Sequence, residues 1–180
     1  SEWRAAGIRL PHMCVNVAKV QLMSGDFVRT VRRILDKYDV RPDALELELS
    51  ERGVLSGDFS VVAQLRELKD LGVRLSIDDF GTGYSSLTYL HDFPLNALKI
   101  DRNFVQSVEA NDRGGPIADM IVGLGKNLGL DVIAEGVETE GQLDVLRSMK
   151  CAEAQGYHFS YPMDPESMSL HLRESLRLTG

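Results

Sequence analysis

The sequence predicts an α/β fold of the parallel barrel type, a TIM-like (β/α)8 barrel carrying about six of its strands, on three observations. Short apolar runs alternate with stretches whose apolar residues recur at helical spacing. The connections are short, with no repeat, low-complexity tract or linker, so residues 1–180 read as one domain. Polar groups fall at the C-terminal end of nearly every strand, as a barrel site requires and a doubly wound sheet does not.

Met13-Cys14-Val15-Asn16-Val17 reads as the first strand, and Phe27, Val28, Val31, Ile34, Leu35 and Tyr38 then recur at helical spacing. Leu45 to Leu49 is a second strand, followed by a helix through Val61, Val62, Leu65, Leu68 and Leu71 that Gly72 stops. Val73 to Ile77 and Leu98 to Ile100 are strands three and four. Ile117, Met120, Ile121, Leu124 and Leu128 mark a helix ended by Gly129. Asp131 to Ala134 and Ala154 to Phe159 supply the last two strands, around a helix with Leu143, Leu146 and Met149.

With 43% hydrophobic and 26% charged residues the chain has the composition of an ordinary globular domain. Its net charge of −7 and scattered Lys and Arg, with no basic stripe, argue against reading long nucleic acid. Apolar runs of a few residues fall far short of the roughly 20 that cross a bilayer, so no membrane contact is expected. Cys14 and Cys151 lie far apart without metal or redox spacing, which fits a cytoplasmic setting. The first residue is Ser, and a full barrel takes about 250 residues, so one or two units are expected to be missing.

The strand ends carry Asn16, Glu48, Asp78 with Asp79, Lys99 with Asp101, Glu135 with Glu138, and Gln155. Buried parallel strands should be nearly all apolar, because an unpaired carboxylate there is costly. Divalent cations such as Mg²⁺ or Mn²⁺ compensate such a cluster through oxygen ligands, and adjacent aspartates suit a bridging role between two of them. Lys99 and Asp101 lie two apart, so Lys99 is expected to handle an attacking water while Asp101 holds its ammonium. Gly81-Thr82-Gly83-Tyr84-Ser85-Ser86 reads as a mobile functional loop that is neither a P-loop nor a dinucleotide fingerprint.

Taken singly, several of these residues have blander readings. Asp78-Asp79 before glycines is a common solvated turn, and acids such as Glu135, Glu138 and Glu140 suit a helix N-terminus. Glu140 is assigned to capping. Glu46 shares a face with Glu48 but is expected to reach solvent at the barrel floor. His12, His91, His158 and His171 show no ligand spacing and are read as structural or surface residues, and Trp3 as a packing residue.

Asp78-Asp79-Phe80-Gly81-Thr82-Gly83-Tyr84-Ser85-Ser86, Leu98-Lys99-Ile100-Asp101-Arg102, Ile133-Ala134-Glu135-Gly136-Val137-Glu138-Thr139 and Ala154-Gln155-Gly156-Tyr157 resemble the signature blocks of the bacterial EAL domain. Val15-Asn16-Val17-Ala18 and Glu48-Leu49-Ser50-Glu51 resemble two further blocks, Ser50 standing where the family usually has Thr. The resemblance implies a phosphodiesterase that opens cyclic di-GMP to the linear dinucleotide pGpG with two Mg²⁺ or Mn²⁺ ions, Ca²⁺ being inhibitory. It implies that Asn16, Glu48, Asp78, Asp79 and Glu135 are metal ligands and that Lys99 handles the water. Asp101, Glu138 and Gln155 would support water, metal or substrate, and Glu51 would pin the loop containing Gly81 and Gly83. The Glu-Ala-Leu tripeptide itself is absent from the chain, so the N-terminal part of the barrel is expected to be truncated. A catalytically inactive cyclic di-GMP-binding or regulatory module is the alternative. The expected setting is a homodimer within a larger sensory protein that also carries a GGDEF domain.

Overall fold

The computed structural model describes Trp3 and residues 12–51, 59–83, 90–110 and 114–178. Six strands are present among them: β1 (Met13–Val17), β2 (Leu45–Ser50), β3 (Arg74–Phe80), β4 (Ala97–Ile100), β5 (Asp131–Glu135) and β6 (Glu153–Gln155). All neighbours pair in parallel, and their order in the sheet is their order in the chain. Right-handed crossovers that never reverse direction stack their helices on one face, and the sheet curls around the other as half of a barrel. A doubly wound sheet would reverse its strand order at a switch point, and this one does not.

The long helices are α1 (Phe27–Tyr38), α2 (Phe59–Leu71), α3 (Gly114–Leu128), α4 (Glu140–Ser148) and α5 (Pro165–Leu178), with a short helix at Arg102–Gln106. Two of them stop where the sequence predicts, at Gly72 and Gly129, whose φ angles of +97° and +68° suit glycine. The fourth long helix starts on a reciprocal cap that the sequence reading missed: the Thr139 hydroxyl accepts from the Gln142 amide, and the Gln142 side chain accepts from the Thr139 amide. Glu140, expected to serve this helix start, stands in its first turn and also pairs with Arg147 and with His158 Nε2, while Thr139 makes the cap itself.

Alternation divides the sheet into two unlike faces. Leu47, Leu49, Leu75, Ile77, Leu98, Ile100, Val132 and Ala134 turn toward the helices, where they meet Val31, Leu35, Val61, Leu65, Leu68, Ile121 and Leu146 in one core. The residues between them, which face the inside of the curl, include Glu46, Glu48, Arg74, Ser76, Lys99 and Glu135. A parallel sheet packed for stability alone would be apolar on both faces. Leu98, fully buried on the fourth strand, measures what the apolar side contributes: Leu98→Ala should cost about 2–5 kcal/mol in urea unfolding.

Two boundaries differ from expectation. The third strand runs on through Asp78 and Asp79 to Phe80. The sixth ends at Gln155, because the chain turns at Gly156, where the Phe159 amide reaches back to the Gly156 carbonyl and His158 donates to Val137. Phe159, expected in that strand, is half exposed. Trp3 donates its indole N–H to Ser169 on the last helix at 2.6 Å. No helix among the described residues is long and apolar enough to cross a membrane.

Candidate active site

The site begins with an irregularity in the third strand. Ile77 pairs with Leu98 and Phe80 with Ile100, so Asp78 and Asp79 together stand opposite the single residue Lys99. This is a β-bulge. Since Ile77 and Phe80 both face the helices, both aspartates between them are turned to the inner face, which strict alternation would forbid. Asp79 takes a left-handed φ of +55°, a conformation aspartate tolerates better than most residues. Its amide, lost to the ladder, donates to Asp78 Oδ1 at 2.9 Å, and its carbonyl accepts from the Thr82 hydroxyl at 2.9 Å.

Opposite them lies Lys99, whose side chain is 3% exposed. Its Nζ donates to Glu48 Oε1 at 2.5 Å, contacts Glu135 Oε1 and lies 3.9 Å from Asp78 Oδ1. Burial opposes the charge on Lys99, but the Glu135 and Glu48 carboxylates outweigh it and hold the ammonium above the ordinary lysine range. Asp78, Asp79 and Glu135 bring carboxylate oxygens within 4.8 Å of one another. Burial raises the pKa of Asp79, and Asp78 and a hydrogen bond with Asp101 add to it. Burial likewise raises Glu135, against the pull of Lys99. The one lysine therefore leaves negative charge uncompensated, and an all-oxygen donor set of this kind fits hard divalent cations.

Other sequence-predicted residues fall around this centre. Gln155 donates from Nε2 to Glu135 Oε1 at 2.7 Å. Asn16, exposed, is the Cα partner of Glu48 on the edge strand. Glu138 pairs with Arg102 at 3.1 Å and accepts from Gln106. Asp101 does not hold the Lys99 ammonium: it lies just past its strand, where its side chain caps the helix Arg102–Gln106 by accepting from the Asn103 amide at 2.8 Å. The strand-pair geometry assumed for Lys99 and Asp101 fails because β4 ends at Ile100.

Glu51, 2% exposed, accepts through Oε2 from the amides of Gly81 and Gly83 at 3.0 and 3.2 Å. A Cβ at Gly83 would stand 2.7 Å from Glu51 Oε1, so the glycine permits this close approach. Tyr84, Ser85 and Ser86 lie outside the described residues. Glu51→Ala should release the start of this loop and lower stability by about 1–3 kcal/mol or more, since both amides lose a charged acceptor; urea unfolding of the variant beside the parent checks it.

Sequence reasoning missed a cleft of about 420 Å³ beside the acidic cluster, lined by Arg102, Glu135, Glu138, Gln155, Tyr157 and Tyr161 among others. The two tyrosine rings lie 4.7 Å apart at 31°. Tyr157 ends one of the blocks that carry the resemblance, whereas nothing in the sequence singles out Tyr161. Glu46 is a second surprise: it is fully buried, paired with Arg74 at 2.9 Å and His12 at 3.3 Å, and does not reach solvent.

Residues 1–162 match the EAL domain family. Cyclic di-GMP phosphodiesterase NbdA of Pseudomonas aeruginosa is 41% identical over 93% of this chain and 22% of its own length. Signaling protein YkoW of Bacillus subtilis is 37% identical over 96% of this chain and 21% of its own. The chain thus spans roughly a fifth to three tenths of such curated relatives. Among solved structures, the PaMucR phosphodiesterase in its c-di-GMP complex superposes with a TM-score of 0.89 at 38% identity, covering 93% of this chain and 68% of that one. The EAL domain of Mycobacterium smegmatis DcpA gives 0.90 at 36%, covering 96% and 78%. With nine tenths of its length matched and its half-barrel superposing on solved EAL domains, the chain belongs to the EAL domain family.

Proposed function

We propose that this chain is a metal-dependent phosphodiesterase domain that hydrolyses cyclic di-GMP to linear pGpG. The observation that carries the reading is the bulge that turns Asp78 and Asp79 together toward Glu135 and Lys99. Relatives named cyclic di-GMP phosphodiesterases and a relative solved with c-di-GMP support it.

Asp78, Asp79 and Glu135, with Glu48 and Asn16 beside them, would hold two Mg²⁺ or Mn²⁺ ions. Bound there, the ions supply positive charge that favours the phosphodiester anion and makes water a better nucleophile at neutral pH. The rest falls to the chain itself. Lys99 donates a hydrogen bond from Nζ that orients the attacking water, and Gln155 holds Glu135 in place. Glu51 fixes the backbone at Gly81 and Gly83, just beyond the two aspartates. Arg102 and Glu138 line the adjacent cleft, and the faces of Tyr157 and Tyr161 suit a purine ring. The water oxygen bonds to phosphorus as one ribose P–O bond breaks, and the ribose oxygen leaves as a hydroxyl carrying a proton from water.

We read residues 1–180 as a single EAL domain of a larger sensory protein, a size argument resting on the longer relatives; a cytoplasmic setting and a neighbouring GGDEF domain belong to the same proposal and rest on the family resemblance alone. Half-exposed Met13 and Val15 on the edge strand favour a homodimer.

The test is incubation of the chain with cyclic di-GMP in Mg²⁺ or Mn²⁺, with Ca²⁺ as the inhibitory control and chromatography of the product. Linear pGpG in Mg²⁺ or Mn²⁺ only is the expected result. Binding without conversion overturns hydrolysis and assigns the domain as a cyclic di-GMP receptor.

A further inference from the structure

A second cluster of metal-binding groups lies on the same inner face, toward the opposite ends of the strands. His12, Cys14 and Glu46 bring one nitrogen, one sulfur and one oxygen within 4.8 Å of one another. Cys14 and Glu46 are Cα partners across β1 and β2, one inner-face step below Asn16 and Glu48. Glu46 is wholly buried. Its Oε2 accepts from Arg74 Nε at 2.9 Å and lies 3.3 Å from His12 Nε2. Its Oε1 is buried too, and among the described residues it has no hydrogen-bond partner.

An ion network of His12, Glu46, Arg74 and Asp131 accounts for the first oxygen only. It leaves the second without a partner, and it gives no role to the Cys14 sulfur that stands beside these groups. A cation among these groups gives the unpartnered oxygen a partner and takes the His12 nitrogen and the Cys14 sulfur as further ligands.

We propose that His12, Cys14 and Glu46 form a binding site for one zinc ion, distinct from the acidic cluster. Nitrogen, thiolate and carboxylate are the mixed donors that zinc takes, whereas Mg²⁺ prefers oxygen alone. Tetrahedral zinc at its usual bond lengths places ligand atoms about 3.3–3.8 Å apart, so side-chain rotations of about an ångström close the site. Three protein ligands leave a fourth position for water. The ion ties the edge strand to its neighbour immediately below Asn16 and Glu48 and so fixes the register of that pair.

The experiment is titration of the 180-residue chain with Zn²⁺, and separately with Co²⁺, in saturating Mg²⁺. The expected result is one tightly bound Zn²⁺ per chain and a thiolate-to-cobalt charge-transfer band in the near ultraviolet. Cys14→Ser and His12→Ala should abolish or shift the band and weaken Zn²⁺ by at least 10- to 100-fold, since loss even of outer partners does that much. Asp78→Asn should keep the band, which separates this site from the acidic cluster. Zn²⁺ should also raise the melting temperature of the unsubstituted chain and not of Cys14→Ser. Absence of the band from the unsubstituted chain overturns the proposal whether or not the variants fold. So does equal Zn²⁺ affinity in the unsubstituted chain and Cys14→Ser, which would mean adventitious surface binding only.

Discussion

Lys99→Met is expected to destabilise the metal-free chain by about 3–5 kcal/mol, the usual cost of removing one partner from a buried ion pair. The Lys99 side chain is 3% exposed, and its Nζ lies between Glu48 and Glu135, so methionine leaves two largely buried carboxylates facing each other. Mg²⁺ should restore part of that stability, because a divalent cation supplies the charge the ammonium supplied. It should not restore turnover, because no N–H remains to orient the attacking water. Urea unfolding with and without Mg²⁺, together with hydrolysis at a Mg²⁺ concentration where the variant is folded, separates the two roles. Unchanged metal-free stability would remove Lys99 from the ion cluster, and undiminished turnover of the folded variant would remove it from the water step.

Asp78→Asn should act in opposite directions on activity and on stability. Loss of a carboxylate from the proposed metal set removes several kcal/mol of transition-state stabilisation, so hydrolysis should fall by about 10²- to 10⁴-fold. The metal-free chain should become more stable, because Asp78 is one of the charges that raise the pKa of Asp79 and of Glu135. The direction with pH follows from linkage. Asp79 and Glu135 bind their protons more tightly when folded than at their ordinary values of 3.8 and 4.5. Folding is therefore disfavoured increasingly as pH rises from those values through the raised ones. Asp78→Asn should flatten that loss, and melting curves of both chains in a chelator across the acidic range check it. A variant less stable than the parent at every pH would show that the Asp78 carboxylate contributes more through its attraction to the Lys99 ammonium, 3.9 Å away, than it costs by repulsion.

Much of the architecture was legible because its signals are local. Apolar spacing marked all six strands and the four long helices between Phe27 and Ser148, and carboxylates where a buried strand should be apolar marked the inner face. What escaped depended on partners remote in sequence or on backbone detail. Glu46 is buried because Arg74, 28 positions on, reaches it; nothing beside Glu46 in the chain announces that. The bulge escaped because Ser76-Ile77-Asp78-Asp79-Phe80 reads as alternation running into a turn, and only pairing with Leu98 and Ile100 reveals the extra residue. Asp101 was misplaced for a related reason: a two-residue spacing implies a shared face only while the strand lasts, and Ile100 ends it. Cys14 and His12, read as unremarkable singly, acquire chemistry only when the first two strands lie side by side.

The sequential order of the strands has a kinetic consequence. Met13 pairs with Leu45, Ser76 with Ala97 and Ile133 with Glu153, so every ladder joins strands that are consecutive in the chain. Loop-closure entropy is then spent in small, similar instalments, and no pairing waits for a distant segment. A chain emerging from the ribosome can add each new strand to an edge already formed. The strand order thus allows the half-barrel to be assembled in the order it is translated, the acidic inner face being completed when the fifth strand brings Glu135 to Lys99.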